Sequence, residues 1–138
     1  FGKTSMDIFD YTIKVLTEVG IMVILNNHTS TSRGAVLTTM ETAYGGAINI
    51  QKNVLLVLLA LCIKNKDNPL VIGIDLRNEL RKAHGIEATW GDGNPVTDWY
   101  RAAKICGEKV LKIAPHWLII VAGLNYQLDL TCVQKNPI

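Results

Sequence analysis

Three short aliphatic runs set the terms for this chain: "IMVIL" at 21–25, "LVIGID" at 70–75 and "WLIIVAG" at 117–123. Each is brief and lacks polar alternation, which suits strands buried on both faces. A stretch with helical spacing precedes each one. Thr4 and Ser5 offer N-cap side chains, after which Ile8, Thr12, Val15, Leu16 and Val19 recur at helical intervals up to Gly20. A second helix is expected over about 53–66, stopped by "KDNP". A third is expected to begin at Trp99, with Ala102, Ala103, Cys106, Val110 and Ile113 on its apolar face and Pro115 at its end. Residues 29–50, rich in Ser, Thr and Gly, read as a long loop. Helix-strand pairs in succession predict an α/β fold with parallel strands and helices packed outside the sheet.

Composition excludes several function classes. With 138 residues, 49% of them hydrophobic, the chain can bury a sizeable core. Fourteen Lys and Arg against twelve Asp and Glu leave a net charge of +2 with no basic stripe, so no nucleic-acid partner is expected. The run "VLLVLLALCI" at 54–63 is far short of the roughly 20 residues of a membrane span, so no membrane partner is expected either. Cys62, Cys106 and Cys132 fit neither a disulfide framework nor metal-ligand spacing. They read as small core residues, with one disulfide among them left open. "GDGN" at 91–94 lacks the Lys-Ser/Thr of a phosphate loop. No cofactor and no metal are expected, and "FGKTSMDIFD" has no signal-peptide pattern.

In parallel α/β sheets, functional groups collect where strands end, because the loops there face one crevice. The first run ends in "NNHTS", the second in "RNEL" and the third in "AGLNY". His28, Asn78 and Asn125 can each be a plain turn residue; what marks them is that all three fall on one rim. Glu79 adds a carboxylate beside Asn78. Trp90, in a long loop, suits a lid over the core. Asn27 heads an Asn-His-Thr sequon on the same rim, where a glycan would block entry, so it is expected to be unmodified.

"VIGIDLRNEL", followed by "ATWGDGNPVTDWYRAAKICGEKVLKIAPHWLIIVAGLNYQ", resembles the central part of glycoside hydrolase family 5, the cellulase family of (β/α)8 barrels. "GIMVILNNHTS" is similar to that family's third strand with its active-site His. The resemblance runs from about Thr4 to Leu130 and covers strands 3 to 5 of the barrel.

The resemblance implies a retaining hydrolase acting on a β-glucan such as cellulose, secreted, and a monomer when full length. Glu79 would be the general acid/base, and Asn78 would hold the sugar 2-hydroxyl as positive charge develops on the ring. His28, Trp90 and Asn125 would line the substrate site, Trp90 by stacking on a sugar ring. Retention needs a second carboxylate about 5 Å away. Asp75, four residues back, would lie about 13 Å off by strand rise, and nothing in the settings of Asp92 or Asp129 recommends them.

The family's nucleophilic Glu sits on the seventh strand, beyond the part matched here. A barrel takes about 250 residues, so residues 1–138 are expected to form a single incomplete catalytic domain, inactive in isolation. Two departures bear on substrate. Val121-Ala122-Gly123 stands where the family commonly has Val-Glu-Gly, and the loop after His28 keeps only Tyr44 as a possible stacking ring. Two other readings stay open: a truncated or degenerate homologue with at most weak carbohydrate binding, and an unrelated doubly wound α/β domain that folds alone.

Overall fold

A computed structural model describes residues 4–28, 47–80, 82 and 87–138. Its first element is helix α1, Ser5–Glu18. The Thr4 hydroxyl accepts the N–H of Asp7 while the Asp7 carboxylate accepts the N–H of Thr4, a reciprocal cap that satisfies two otherwise orphaned donors. At the other end Gly20 takes φ +84, and Ile21 and Gly20 donate to Leu16 and Thr17. That left-handed stop closes the helix and releases strand β1, Val23–Asn26.

The stripe that α1 turns inward is not the one its aliphatics predict. Ile13 is buried, whereas Ile8 is 60% and Val19 is 70% exposed. Two polar contacts fix the rotation: Asp10 pairs with Lys64, and Thr17 accepts from Asn68. Positions 10, 13 and 17 share one helical face, so these contacts bring Ile13 in with them.

Helix α2, Ala47–Asn65, begins earlier than its strongest apolar run suggests, since Ala47, Gln51 and Lys52 favour helix once Gly45-Gly46 is passed. It buries Leu55, Leu58 and Cys62. Strand β2, Val71–Asp75, follows, then helix α3, Trp99–Ile113, which buries Trp99, Ala103, Cys106, Gly107 and Val110 and packs on α2. Strand β3, Leu118–Ile120, and the short helix α4, Thr131–Lys135, complete the order.

The strands are parallel and ordered β1-β2-β3, as in the chain. A doubly wound sheet reverses its order at a switch point; among the described residues the order is sequential, as a barrel requires. The described elements form a partial (β/α)8 barrel.

Register assigns the two faces of the sheet. Leu25, Ile74 and Ile119 are aligned, and Ile119 lies against Gly107 of α3, so this row faces the helices. Ile24, Gly73 and Leu118, and next Asn26, Asp75 and Ile120, therefore face the barrel interior. The expectation of strands buried on both faces holds for β2 alone. Ile24 is 44% and Leu118 59% exposed, because β1 and β3 are the outer members of the described sheet. Gly73 is where the interior face pinches. A Cβ there would come within 2.6 Å of the Leu118 carbonyl oxygen, so the close β2–β3 approach depends on its absence.

All three cysteines are free thiols, which settles the open disulfide against pairing. Cys62 is fully buried, and burial pushes the Cys106 thiol up to about 11.

Candidate active site

Strand β2 does not run on to Glu79. It ends at Asp75, and the chain turns through 76–80, so strand-rise spacing does not separate Asp75 from Glu79. Asp75 makes the turn. One carboxylate oxygen accepts the N–H of Arg77 at 3.2 Å, a bond two residues ahead that bends the backbone out of the sheet. The other accepts the side-chain amide of Asn26 at 3.2 Å, and the Asp75 carbonyl accepts the N–H of Asn27 at 3.2 Å. Asp75 thus joins the ends of β1 and β2. Burial pushes its carboxyl above the usual carboxylate range, against the opposing pull of the Arg77 N–H and the charge of His28.

The next residues are tethered on both sides. Asn78 donates its N–H to the Asn27 carbonyl at 3.1 Å, and the carbonyl of Leu80 accepts the N–H of Tyr126 at 2.7 Å. Glu79 lies between these two bonds. It takes φ +42, the left-handed region that residues with a Cβ avoid, and its side chain is exposed at the strand-end rim. Non-glycine residues held in that region cluster at functional sites, where the surrounding structure over-determines them.

His28 follows Asn27 directly and is exposed. The Asn27 side-chain amide donates to the Leu76 carbonyl at 3.1 Å, which engages one of its two N–H groups. Asn125 stands on the other side of Glu79, next to Tyr126. It begins a left-handed turn, Asn125, Tyr126 and Gln127 at φ +48, +59 and +69, closed by the paired N–H and carbonyl groups of Leu124 and Asp129. A cavity of about 320 Å³ opens beside it, lined by Leu80, Glu87, Asn125 and Asp129 among others. Gly123 permits this turn, since a Cβ there would sit 2.6 Å from the Asp129 carbonyl oxygen.

The structure therefore brings His28, Asn78, Glu79 and Asn125 onto one rim. Trp90 is positioned by other partners. Its indole N–H donates to the Asn136 carbonyl at 2.8 Å, and its ring meets Tyr100 edge-on at 5.6 Å. Beneath it, Asp98 organises the "GDGN" turn by accepting from Gly91 at 2.8 Å, Gly93 at 2.9 Å and the Arg101 N–H at the start of α3. Among the described residues, no group of three His, Cys, Asp or Glu is placed to hold a metal ion.

Sequence reasoning weighed Asp75 only as a distant second carboxylate and did not single out Asn26. The signal was present in the residues: an Asp ending an aliphatic run, placed two residues before an Arg whose N–H it can accept.

Residues 1–138 match throughout the profile of the cellulase family, described as glycosyl hydrolase family 5. The chain belongs to glycosyl hydrolase family 5. Among its family relatives, the major extracellular endoglucanase of Xanthomonas campestris pv. campestris is 38% identical over 124 residues, covering 90% of this chain and 24% of that protein. An endoglucanase of Paenibacillus polymyxa is 35% identical over 128 residues, covering 93% of this chain and 30% of that protein. The chain thus spans less than a third of the curated relatives it matches.

Solved structures agree on the fold. The catalytic domain of the Xanthomonas enzyme superposes with a TM-score of 0.81 at 32% identity, over 99% of this chain and 40% of that one. An endocellulase of Pyrococcus horikoshii in complex with cellotetraose gives 0.75 at 26% identity, over 99% and 42%.

Proposed function

We propose that this chain is part of the catalytic domain of a retaining, endo-acting β-glucanase, with Glu79 as its general acid/base. The observation that carries the reading is the position of Glu79. A chain of this family places an Asn-Glu pair on the strand-end rim, with the Glu fixed in a left-handed backbone between ties to Asn27 and Tyr126.

In the first step the Glu79 carboxyl donates its proton to the glycosidic oxygen as the bond to the anomeric carbon breaks and a carboxylate nucleophile attacks the opposite face. In the second, the Glu79 carboxylate takes a proton from the water that displaces that nucleophile. Asn78 and His28 hold the sugar hydroxyls beside the reacting carbon, and Asn125 binds from the far side of Glu79. The nucleophile belongs to residues outside these 138, within a single barrel domain of which residues 1–138 are one incomplete part.

The endoglucanase relatives and the cellotetraose complex of the archaeal neighbour favour a β-glucan such as cellulose as substrate. The same relatives favour secretion, one of them being named extracellular. No described helix is long and apolar enough to cross a membrane.

The deciding experiment replaces Glu79 by Gln in the full-length enzyme and measures hydrolysis of unactivated glucan. A loss of several orders of magnitude is expected; near-normal turnover would overturn the assignment.

A further inference from the structure

The buried carboxylate of Asp75 has no place in the acid/base pair proposed above, yet it joins the end of β1 to the turn that leads to Glu79. It lies on the interior face at the end of the central strand and is 9% exposed. A buried acid is costly unless its oxygens are used, and here both are: one accepts the Arg77 N–H, the other the Asn26 side-chain amide. Its carbonyl holds Asn27, whose own carbonyl holds the N–H of Asn78. The chain from Asp75 to Glu79 is thus fastened at two successive peptide units, the Arg77 N–H by Asp75 directly and the Asn78 N–H through Asn27.

We infer that Asp75 is a positioning residue that sets the direction of the Glu79 carboxyl through the Arg77 N–H and the Asn26 amide. The inference rests on the acid/base reading of Glu79. Its chemical basis is the count of acceptors. An aspartate offers an acceptor on each oxygen, whereas an asparagine of the same shape offers one acceptor and one donor. Asp75→Asn must therefore leave either the Arg77 N–H or the Asn26 amide facing another donor. Volume and packing stay the same, and a buried charge is removed.

This predicts an effect that general damage to the fold does not produce. An acid that is misdirected but still present hinders departure of a poor leaving group and matters little for one that departs without a proton. The test measures kcat/KM, which reports the steps up to leaving-group departure, for the full-length parent, Asp75→Asn and Glu79→Gln. Each is assayed on cellotetraose and on 2,4-dinitrophenyl cellobioside, and melting temperatures are taken alongside.

For Asp75→Asn, kcat/KM on cellotetraose should fall at least tenfold while that on the aryl substrate falls less than threefold, with Tm close to the parent's. An equal loss on both substrates, or no loss, overturns the inference. Should Asp75→Asn fail to fold, Asn26→Ala at an exposed position removes one of the two ties and is judged by the same criterion, a loss confined to cellotetraose. Glu79→Gln separates the two readings. If it lacks the leaving-group dependence, the acid/base assignment fails; if it has it and Asp75→Asn does not, only the positioning role fails.

Discussion

The N–H of Tyr126 donates to the carbonyl of Leu80 at 2.7 Å, and by that bond the loop after β3 grips the residue that follows Glu79. Both partners stand beside or within left-handed backbone. Glu79 precedes Leu80 at φ +42, and Tyr126 is the centre of three successive positive-φ residues. Such a conformation costs about 1–2 kcal/mol per residue with a Cβ. The cost falls on the two segments that flank the candidate acid, while the strands and long helices carry none of it. Among the described residues, non-glycine strain of this kind falls on one rim, the expected signature of a site held in place by its scaffold.

A small nucleophile should restore what Glu79 supplies in the second step. In full-length Glu79→Ala, azide is expected to raise turnover of an aryl glycoside with a good leaving group and to yield a glycosyl azide, because the anion attacks the glycosyl-enzyme without needing a base. Product analysis by mass spectrometry checks this. Unchanged turnover and no azide adduct would assign Glu79 some other role.

His28 should matter to turnover and little to folding. Its side chain is exposed at the end of β1, so His28→Ala leaves no cavity. We expect hydrolysis to fall with Tm essentially unchanged. A large drop in Tm with intact specific activity of the folded fraction would make His28 a structural turn residue.

Much of this architecture is legible in the residues. The α3 start at Trp99, the Thr4 cap and the Gly20 stop all follow from local chemistry within a few residues of the chain, and the structure places them there. The rotation of α1 was not legible, because it is set by Asp10–Lys64 and Thr17–Asn68, contacts about fifty residues apart. For the same reason, strand ends point to His28, Asn78, Glu79 and Asn125 as one rim, while Asp75 is weighed only as a distant carboxylate and Asn26 is not singled out. Their importance lies in a bond between neighbouring strands that appears only once register is fixed. Asp98 is a related case: in the structure it caps α3 through the Arg101 N–H and also holds Gly91 and Gly93.

Two glycine substitutions should have very different costs. A Cβ at Gly73 would lie 2.6 Å from the backbone oxygen of Leu118, and a strand in the sheet cannot retreat without breaking its ladder. Gly73→Ala is expected to destabilise the full-length enzyme by about 2–3 kcal/mol, in the range of overpacked cores. At Gly107 the Cβ would meet a methyl of Ile119 at 3.3 Å, which a side chain can accommodate. The helix gains about 1 kcal/mol from Gly→Ala, so Gly107→Ala should be close to neutral. Denaturant titration of the pair measures both, and equal effects would contradict the close β2–β3 approach.

The buried carboxyl of Asp75 gives a pH dependence of definite sign. Burial raises it above its ordinary value of 3.8, so the folded protein binds this proton more tightly than the unfolded chain. Its contribution to stability is greatest below 3.8, declines as pH rises through the raised value, and is level above it. Asp7 and Asp129 act in the opposite sense. Bonds from Thr4 and Thr131 lower them, so their contributions are present above 3.8 and are lost as pH falls through the lowered values. Asp75→Asn removes the first effect and leaves the other two. The difference in Tm between variant and parent should therefore move in the variant's favour as pH rises from 3 to 6, whatever its value at the start. Melting curves of both proteins across that range supply the test. A difference that stays constant with pH would mean that Asp75 titrates alike in the folded and unfolded chain, and that its burial costs the fold nothing.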